Sequence, residues 1–249
     1  MTVALVTGSG QGVGRGCALA LANAGHDVVV ASRRPDNGEP VAVECRERGV
    51  RAICVPTDVM DRAAIFHAVD RAVEEFGALD VMVHNAFTGT GRPYRVEEAT
   101  EKEWERVSKS AVWASIWCAQ AASPHLAASE RGRLILVSSA AGIEGSASLP
   151  LYGAVKGAQR ALAKSLAREW GERAVTVNCI APIALTGALE YAFDKNPDLR
   201  PALEARLPIG RMGDPERDIG SVVAFLASEG ASYITGQTVL CDGGSFTGL

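Results

Sequence analysis

Short apolar runs recur along the chain, each followed by a longer stretch in which apolar positions return every three or four residues. Val3-Ala4-Leu5-Val6 is the first run, closed by Thr7-Gly8. A small-residue helix pattern from Gly14 to Ala24 follows, and Gly25 stands where a helix end favours glycine. Val28-Val29-Val30-Ala31 and Ala52-Ile53-Cys54-Val55 are continuous apolar runs, as in strands buried on both faces of a parallel sheet. Asp61 is placed to cap a helix whose apolar positions, Ile65, Ala68, Val69, Ala72, Val73 and Phe76, form one face; Gly77 ends it. Leu79 to Val83 is the next strand.

The same rhythm continues. Thr100, with Glu103 in capping-box spacing, opens a long helix through Trp104, Val107 and Ile116. Strands are predicted at Leu134 to Val137, Val175 to Val177 and Thr238 to Leu240, and helices at Tyr152 to Trp170 and Pro215 to Leu226. Alternating β and α elements imply an α/β fold, a doubly wound parallel sheet with helices on both faces. No internal repeat or linker divides the chain, so residues 1–249 are read as a single domain. Residues 183–213 carry Leu185, Leu189, Tyr191, Phe193, Leu199, Leu203 and Leu207 without a clear period. They are expected to form either a lid over a ligand or a pair of ordinary amphipathic surface helices.

Composition narrows the function classes. With 249 residues and a formal charge of −4, the chain lacks the basic stripe that a nucleic-acid groove needs. No apolar run approaches membrane-span length, and the N-terminus lacks a secretory leader pattern, so a cytoplasmic location is expected. The six cysteines are never closer than nine positions and the four histidines are scattered, which sets metal chemistry aside. Reduced thiols acting as small apolar side chains are expected.

Immediately after the first strand stands Thr7-Gly8-Ser9-Gly10-Gln11-Gly12-Val13-Gly14. Such a turn between strand and helix lets the backbone approach a pyrophosphate at the helix N-terminus; alone, it could mark only a tight turn. With its glycines at Gly8, Gly12 and Gly14, the motif resembles that of the short-chain dehydrogenase/reductase family, and the resemblance extends along nearly the whole chain. It includes Asp58-Val59, Asn85-Ala86, Ser139, Tyr152-Gly153-Ala154-Val155-Lys156, Asn178 with Pro182, and Asp242-Gly243-Gly244. Ser139 precedes Tyr152 by 13 positions, the family's usual gap. The resemblance implies a Rossmann-type fold, a nicotinamide dinucleotide, and a tetramer. It places Asp58 and Val59 beside the adenine, Asn85 and Ala86 beside the ribose, and Pro182 and Thr186 near the nicotinamide.

Cofactor choice turns on Ser32-Arg33-Arg34 at the end of the second strand. An acid there would bind the ribose 2′-hydroxyl of NAD and repel a 2′-phosphate. Instead two guanidiniums follow that can pair a phosphate, so NADP(H) is favoured over NAD(H), with a solvated turn as the alternative. Gln11 stands where family members often carry a basic residue.

Tyr152 and Lys156 lie four apart on a helix, so both side chains leave one face. An ammonium near the phenol would lower its pKa, making Tyr152 a general acid for ketone reduction or a base for alcohol oxidation. Ser139 would hold the substrate oxygen where charge develops, and Ser138 would face the other way by strand alternation. Lys156 would also bind the nicotinamide ribose, as the resemblance implies.

Three departures cluster at that end. Ala111 stands where the family commonly has an Asn, whose helix distortion frees a carbonyl that holds a water feeding the lysine. Phe87 replaces a glycine, and Pro182-Ile183 replaces Pro-Gly with Thr186 one position early. Two functions are weighed: an NADPH-dependent carbonyl reductase or alcohol dehydrogenase acting on a small carbonyl or alcohol, and a catalytically weak nucleotide-binding sensor or scaffold. Phe87, Ile143, Leu149, Leu189, Tyr191 and Phe193 are expected to line an apolar substrate pocket. The helix with Trp113 and Trp117 offers aromatic surface for an oligomer or for the core.

Overall fold

The computed structural model describes residues 2–89 and 93–247, with the side chain of Ala188 left aside. Seven strands form one parallel sheet: β1 (Val3–Thr7), β2 (Asp27–Ser32), β3 (Ala52–Pro56), β4 (Val81–His84), β5 (Arg133–Val137), β6 (Thr176–Pro182) and β7 (Thr238–Cys241). Their order is β3-β2-β1-β4-β5-β6-β7. Winding therefore reverses between β1 and β4, where an open α/β sheet leaves a crevice at its carboxyl edge.

Strand alternation divides the core into two layers. Leu5, Val29, Leu134, Leu136 and Val177 face one side, where they pack on α3 (Arg62–Phe76), α5 (Ala114–Ala128) and α7 (Pro150–Trp170). Val6, Val28, Val30, Ile135 and Ile180 face the other, against α1 (Gly12–Asn23), α2 (Pro35–Glu47) and α10 (Ser221–Ala227). Both faces are covered, which explains why the strands read as unbroken apolar runs. The Asp61 carboxylate accepts from the Ala63 amide at 2.9 Å, and the Thr100 hydroxyl accepts from the Glu103 amide at 3.2 Å, as their positions implied.

Helix α2 has no counterpart in the sequence reading, because Gly38 and Pro40 interrupt its pattern. The long helix opened by Thr100 is interrupted: α4 (Glu101–Ser108) passes into a π-helical turn, Lys109–Trp113, before α5 resumes. A short α6 (Ala141–Glu144) follows β5. Residues 183–213 contain α8 (Gly187–Lys195) and α9 (Leu199–Glu204). These close a small core of their own around Phe193, Leu207 and Met212. All six cysteines are free thiols. Among the described residues no helix is long and apolar enough to cross a membrane.

Candidate active site

A cleft of about 660 Å³ runs along the carboxyl edge of the sheet. One end holds Ser32, Arg33, Arg34 and Asn37; the middle is floored by Gly8 to Gly14 and walled by Asp58, Val59, Asn85 and Ala86; the other end reaches Phe87, Tyr152 and Thr186. Gln11, Gly12, Val13 and Gly14 all line it. Thus the sequence-assigned cofactor residues converge, except Lys156 and Pro182, which do not line the cleft; Pro182 ends β6.

The turn after β1 is shaped for an anion. Gly12 has φ +55°, and a Cβ at Gly14 would lie 2.3 Å from the Gly8 carbonyl oxygen, so the backbone closes as it does only with glycine there. Asn85 pins the loop, its amide Nδ2 donating to the carbonyls of Thr7 (3.0 Å) and Gly8 (3.2 Å). Gln11 makes no side-chain cap and no acid stands in the first turn of α1, so the first amides of that helix remain available. At the far end Arg33 and Arg34 are exposed and in no ion pair among the described residues. A chain of unpaired donors ending in two guanidiniums fits a phosphate-bearing dinucleotide. Asp58 forms a local turn by accepting from the Met60 amide at 2.9 Å, while Val59, on the cleft wall, is buried.

Ser139 and Tyr152 meet at the other end. Burial pushes the Tyr152 phenol above its ordinary pKa, and hydrogen bonding with Ser139 pulls it part of the way back. The expected lowering by Lys156 is absent: Nζ turns inward, donating to the Val137 carbonyl (2.7 Å) and to Gln159 Oε1 (2.9 Å). It lies 5.7 Å from the Tyr152 ring centre. Shared helical face fixes where a side chain starts; here buried acceptors decide where a long one ends. Burial moves Lys156 itself down to about 8. Ser138 faces away, as strand alternation required, donating to the Lys156 carbonyl at 2.9 Å.

The family model described as Enoyl-(Acyl carrier protein) reductase, adh_short_C2, matches residues 8–245. The 3-oxoacyl-[acyl-carrier-protein] reductase FabG of Staphylococcus aureus is 34% identical over 244 residues, covering 98% of this chain and 97% of that one. The chain is a short-chain dehydrogenase/reductase. A hydroxynaphthalene reductase-like protein of Metarhizium brunneum is 35% identical over 260 residues, covering 98% of this chain and 95% of its own. The solved structure of acetoin dehydrogenase YohF from Salmonella typhimurium superposes with a TM-score of 0.86 at 32% identity, covering 98% of this chain and 97% of that one. This short-chain dehydrogenase/reductase is accordingly an oxidoreductase of the Rossmann type, in a family that works with nicotinamide dinucleotides.

The family's helix distortion is present here despite Ala111. The Ala111 carbonyl, which takes a backbone amide at the end of the π turn, also accepts from Ser115 Oγ at 2.6 Å and from Gln159 Nε2 at 3.3 Å. Sequence reasoning missed Gln159, which is buried although it sits on the inner face of α7; a polar side chain at that phase of the apolar stripe was the available signal. It missed His84 too. Thr7 Oγ1 accepts from the amides of Asn85 (3.1 Å) and Ala86 (3.2 Å), so its proton goes to His84 Nδ1 at 3.0 Å. His84 Nε2 then carries the ring proton and faces the Ser110 and Ala111 backbone without closing a hydrogen bond. The expected apolar pocket is only partly assembled. Phe87 meets Tyr152 edge-on with ring centres 5.2 Å apart, but Phe193 is buried in the core of α8 and α9, and Tyr191 is exposed. Trp113 and Trp117 stack at 6.0 Å, with Trp113 on the surface.

Proposed function

We propose that this short-chain dehydrogenase/reductase is an NADP(H)-dependent oxidoreductase that interconverts a ketone or aldehyde and the corresponding alcohol. The observation that carries the reading is the joining, in one cleft, of an Arg33-Arg34 end without ion pairs among the described residues to a Tyr152 end, with Ser139 hydrogen-bonded to that tyrosine. When bound, the reduced nicotinamide supplies a hydride to the carbonyl carbon. Tyr152 donates its phenolic proton to the carbonyl oxygen, so that carbon and oxygen gain one hydride and one proton; in oxidation the same oxygen takes the proton back. Ser139 holds the substrate oxygen as negative charge develops on it. Lys156 stands behind Tyr152 with one ammonium proton left, since Val137 and Gln159 take two.

On the nucleotide, Arg33 and Arg34 pair the 2′-phosphate beside Ser32. Gln11, Gly12, Val13 and Gly14 receive the pyrophosphate at the first turn of α1, Asp58 and Val59 flank the adenine, and Asn85 and Ala86 the ribose. Thr186, capping α8 beside Gly12, meets the nicotinamide end. Residues 183–213 act as the lid. The substrate is a small carbonyl or alcohol with an apolar or ring-bearing body, in line with relatives named for a 3-oxoacyl group, a hydroxynaphthalene and acetoin. The Trp113–Trp117 stack supports assembly into a homo-oligomer.

Tyr152→Phe is the test. NADPH binding should persist while turnover over a carbonyl panel falls by about 100-fold or more, the scale of a lost general acid. Near-normal turnover by that variant would remove Tyr152 from the chemistry. A second reading, a nucleotide-binding sensor with little catalysis, draws on the inward Lys156 and on Phe87 packed against Tyr152. It predicts tight NADPH binding by the wild-type protein with no turnover on any carbonyl of the panel.

A further inference from the structure

We infer that Gln159 is the positioning residue for Lys156: its amide holds the ammonium in place and ties it to the Ala111 carbonyl of the π turn. The inference rests on the Tyr152-centred reading above. It begins from a buried ammonium with three protons to place. Lys156 is 3% exposed and Gln159 1%, so bulk water satisfies neither. Gln159 Oε1 accepts from Lys156 Nζ at 2.9 Å, and its Nε2 donates to Ser115 Oγ at 2.9 Å and to the Ala111 carbonyl at 3.3 Å. Ser115 Oγ donates its own proton to the same carbonyl at 2.6 Å. Both ends of the amide are used, and the chain Lys156–Gln159–Ser115–Ala111 is closed without solvent.

Three elements meet in that chain: α7 supplies Lys156 and Gln159, α5 supplies Ser115, and the π turn supplies Ala111. The Ala111 carbonyl already has a backbone amide and the Ser115 hydroxyl as donors, so Gln159 is anchored there rather than needed to satisfy it, and the anchor fixes the amide that meets Lys156. Ala111 has no amide side chain of its own, and Gln159 brings one from the facing helix. A carboxamide donates and accepts but does not hand protons on as water does, so Gln159 sets position and charge rather than carrying a proton outward.

Gln159 must therefore bias the protonation of Lys156. The groups facing the ammonium are Tyr152 on its own helix, His84 from β4 and Cys179 from β6. Burial and the neighbouring Lys156 push His84 down to about 3, and burial pushes Cys179 up to about 12, so both are neutral around pH 7. Among the described residues the hydrogen-bond acceptors of the ammonium are the two oxygens of Val137 and Gln159, with the rings of Phe87 (5.1 Å) and Tyr152 (5.7 Å) beside it. An acceptor on a charged donor favours the charged form. Reduction needs both the phenol proton and the ammonium, and is lost as pH rises through the first deprotonation of that pair.

Two variants move that loss in opposite directions. Gln159→Met, similar in length but without the acceptor, should shift the alkaline fall of the NADPH-dependent reduction rate down by about one pH unit. Gln159→Glu, which puts a carboxylate on Nζ, should shift it up by a similar amount. In both, kcat should change more than the KM for NADPH. The cofactor-free protein gives the second readout: the 13Cε signal of Lys156, assigned by its loss in Lys156→Arg, should titrate lower in Gln159→Met and higher in Gln159→Glu than in wild type. If either variant fails to fold, the direction of the other decides. An alkaline fall and a Lys156 titration unchanged in the folded variants, even with activity or melting temperature reduced, would make Gln159 a core residue only and overturn the inference. Failure of the underlying reading looks different: Tyr152→Phe would then turn over normally, whatever the Gln159 variants do.

Discussion

Replacing Arg33 by alanine probes the cofactor assignment where the structure isolates it best. Ser32 is a poorer target, because its Oγ donates to the Arg34 carbonyl at 3.0 Å and lies 2.6 Å from where a Cβ on Gly10 would sit. Changes there would disturb the glycine turn itself. Arg33 stands on the cleft rim in solvent and is in no ion pair among the described residues, so its removal should leave the fold untouched. A hydrogen bond to a charged partner is worth ~1.5–3 kcal/mol, and an exposed guanidinium sits at the lower end because water and salt screen it. About 1.5 kcal/mol corresponds to roughly a tenfold rise in the NADPH Kd. NADH carries no 2′-phosphate, so its Kd should move by less than about twofold. The penalty should also shrink as salt rises from 0.1 to 1 M, where the screening length falls from about 10 to 3 Å. Nicotinamide fluorescence titrations with both cofactors, at both salt levels, measure all of this, and kcat/KM on one carbonyl provides the parallel. Equal weakening of NADPH and NADH, or of neither, would refute the phosphate contact and return Arg33 to a solvated turn.

Two further outcomes follow from the site's packing. Phe87→Ala removes a half-buried ring that meets Tyr152 edge-on and touches the cluster of Val107, Ala111 and Val155. It should cost about 1–3 kcal/mol in urea unfolding, below the fully buried range, and raise kcat/KM for bulky ketones relative to small ones; an unchanged ratio would show that the ring does not limit the pocket. His84 concerns stability. Burial first, then the neighbouring Lys156, holds it neutral in the fold down to about pH 3, against about 6.5 when unfolded. The unfolded chain therefore binds the extra proton between those values, and stability present above about pH 6.5 should fall by about 1.4 kcal/mol per pH unit on acidification. Urea midpoints from pH 7 to 4 should slope less steeply in His84→Asn, and equal slopes would contradict the neutral buried ring.

How much of this was legible beforehand depended on the range of the interactions involved. The strands were readable because burial on both faces leaves its mark on every consecutive residue, as in Val28 to Val30. The glycine turn was readable because its constraints are local. Helix α2 was not, since Gly38 is there to let the helix pack on β3: a Cβ at that position would lie 2.4 Å from Cys54 Sγ. That requirement lies across space and has no local pattern. The same holds for Phe193, which was expected on a pocket wall and joins a separate core instead.

The loss at Ala111 and the gain at Gln159 make the same point at the chemical site. Read singly, Ala111 is a missing amide and Gln159 a stray polar residue on an apolar stripe. Separated by 48 positions, they meet at the π turn, where one removes a side-chain carboxamide and the other restores it from the opposite helix. Lys156 follows from that exchange. Four-residue spacing puts it beside Tyr152, yet the position of its charge is set by acceptors on β5 and on its own helix one turn further on. A motif search that scores each position separately reads Ala111 as damage, whereas the hydrogen bonds join the two positions in one working unit. In the proposed reading the ammonium of Lys156 is therefore held by a residue outside the Ser-Tyr-Lys set.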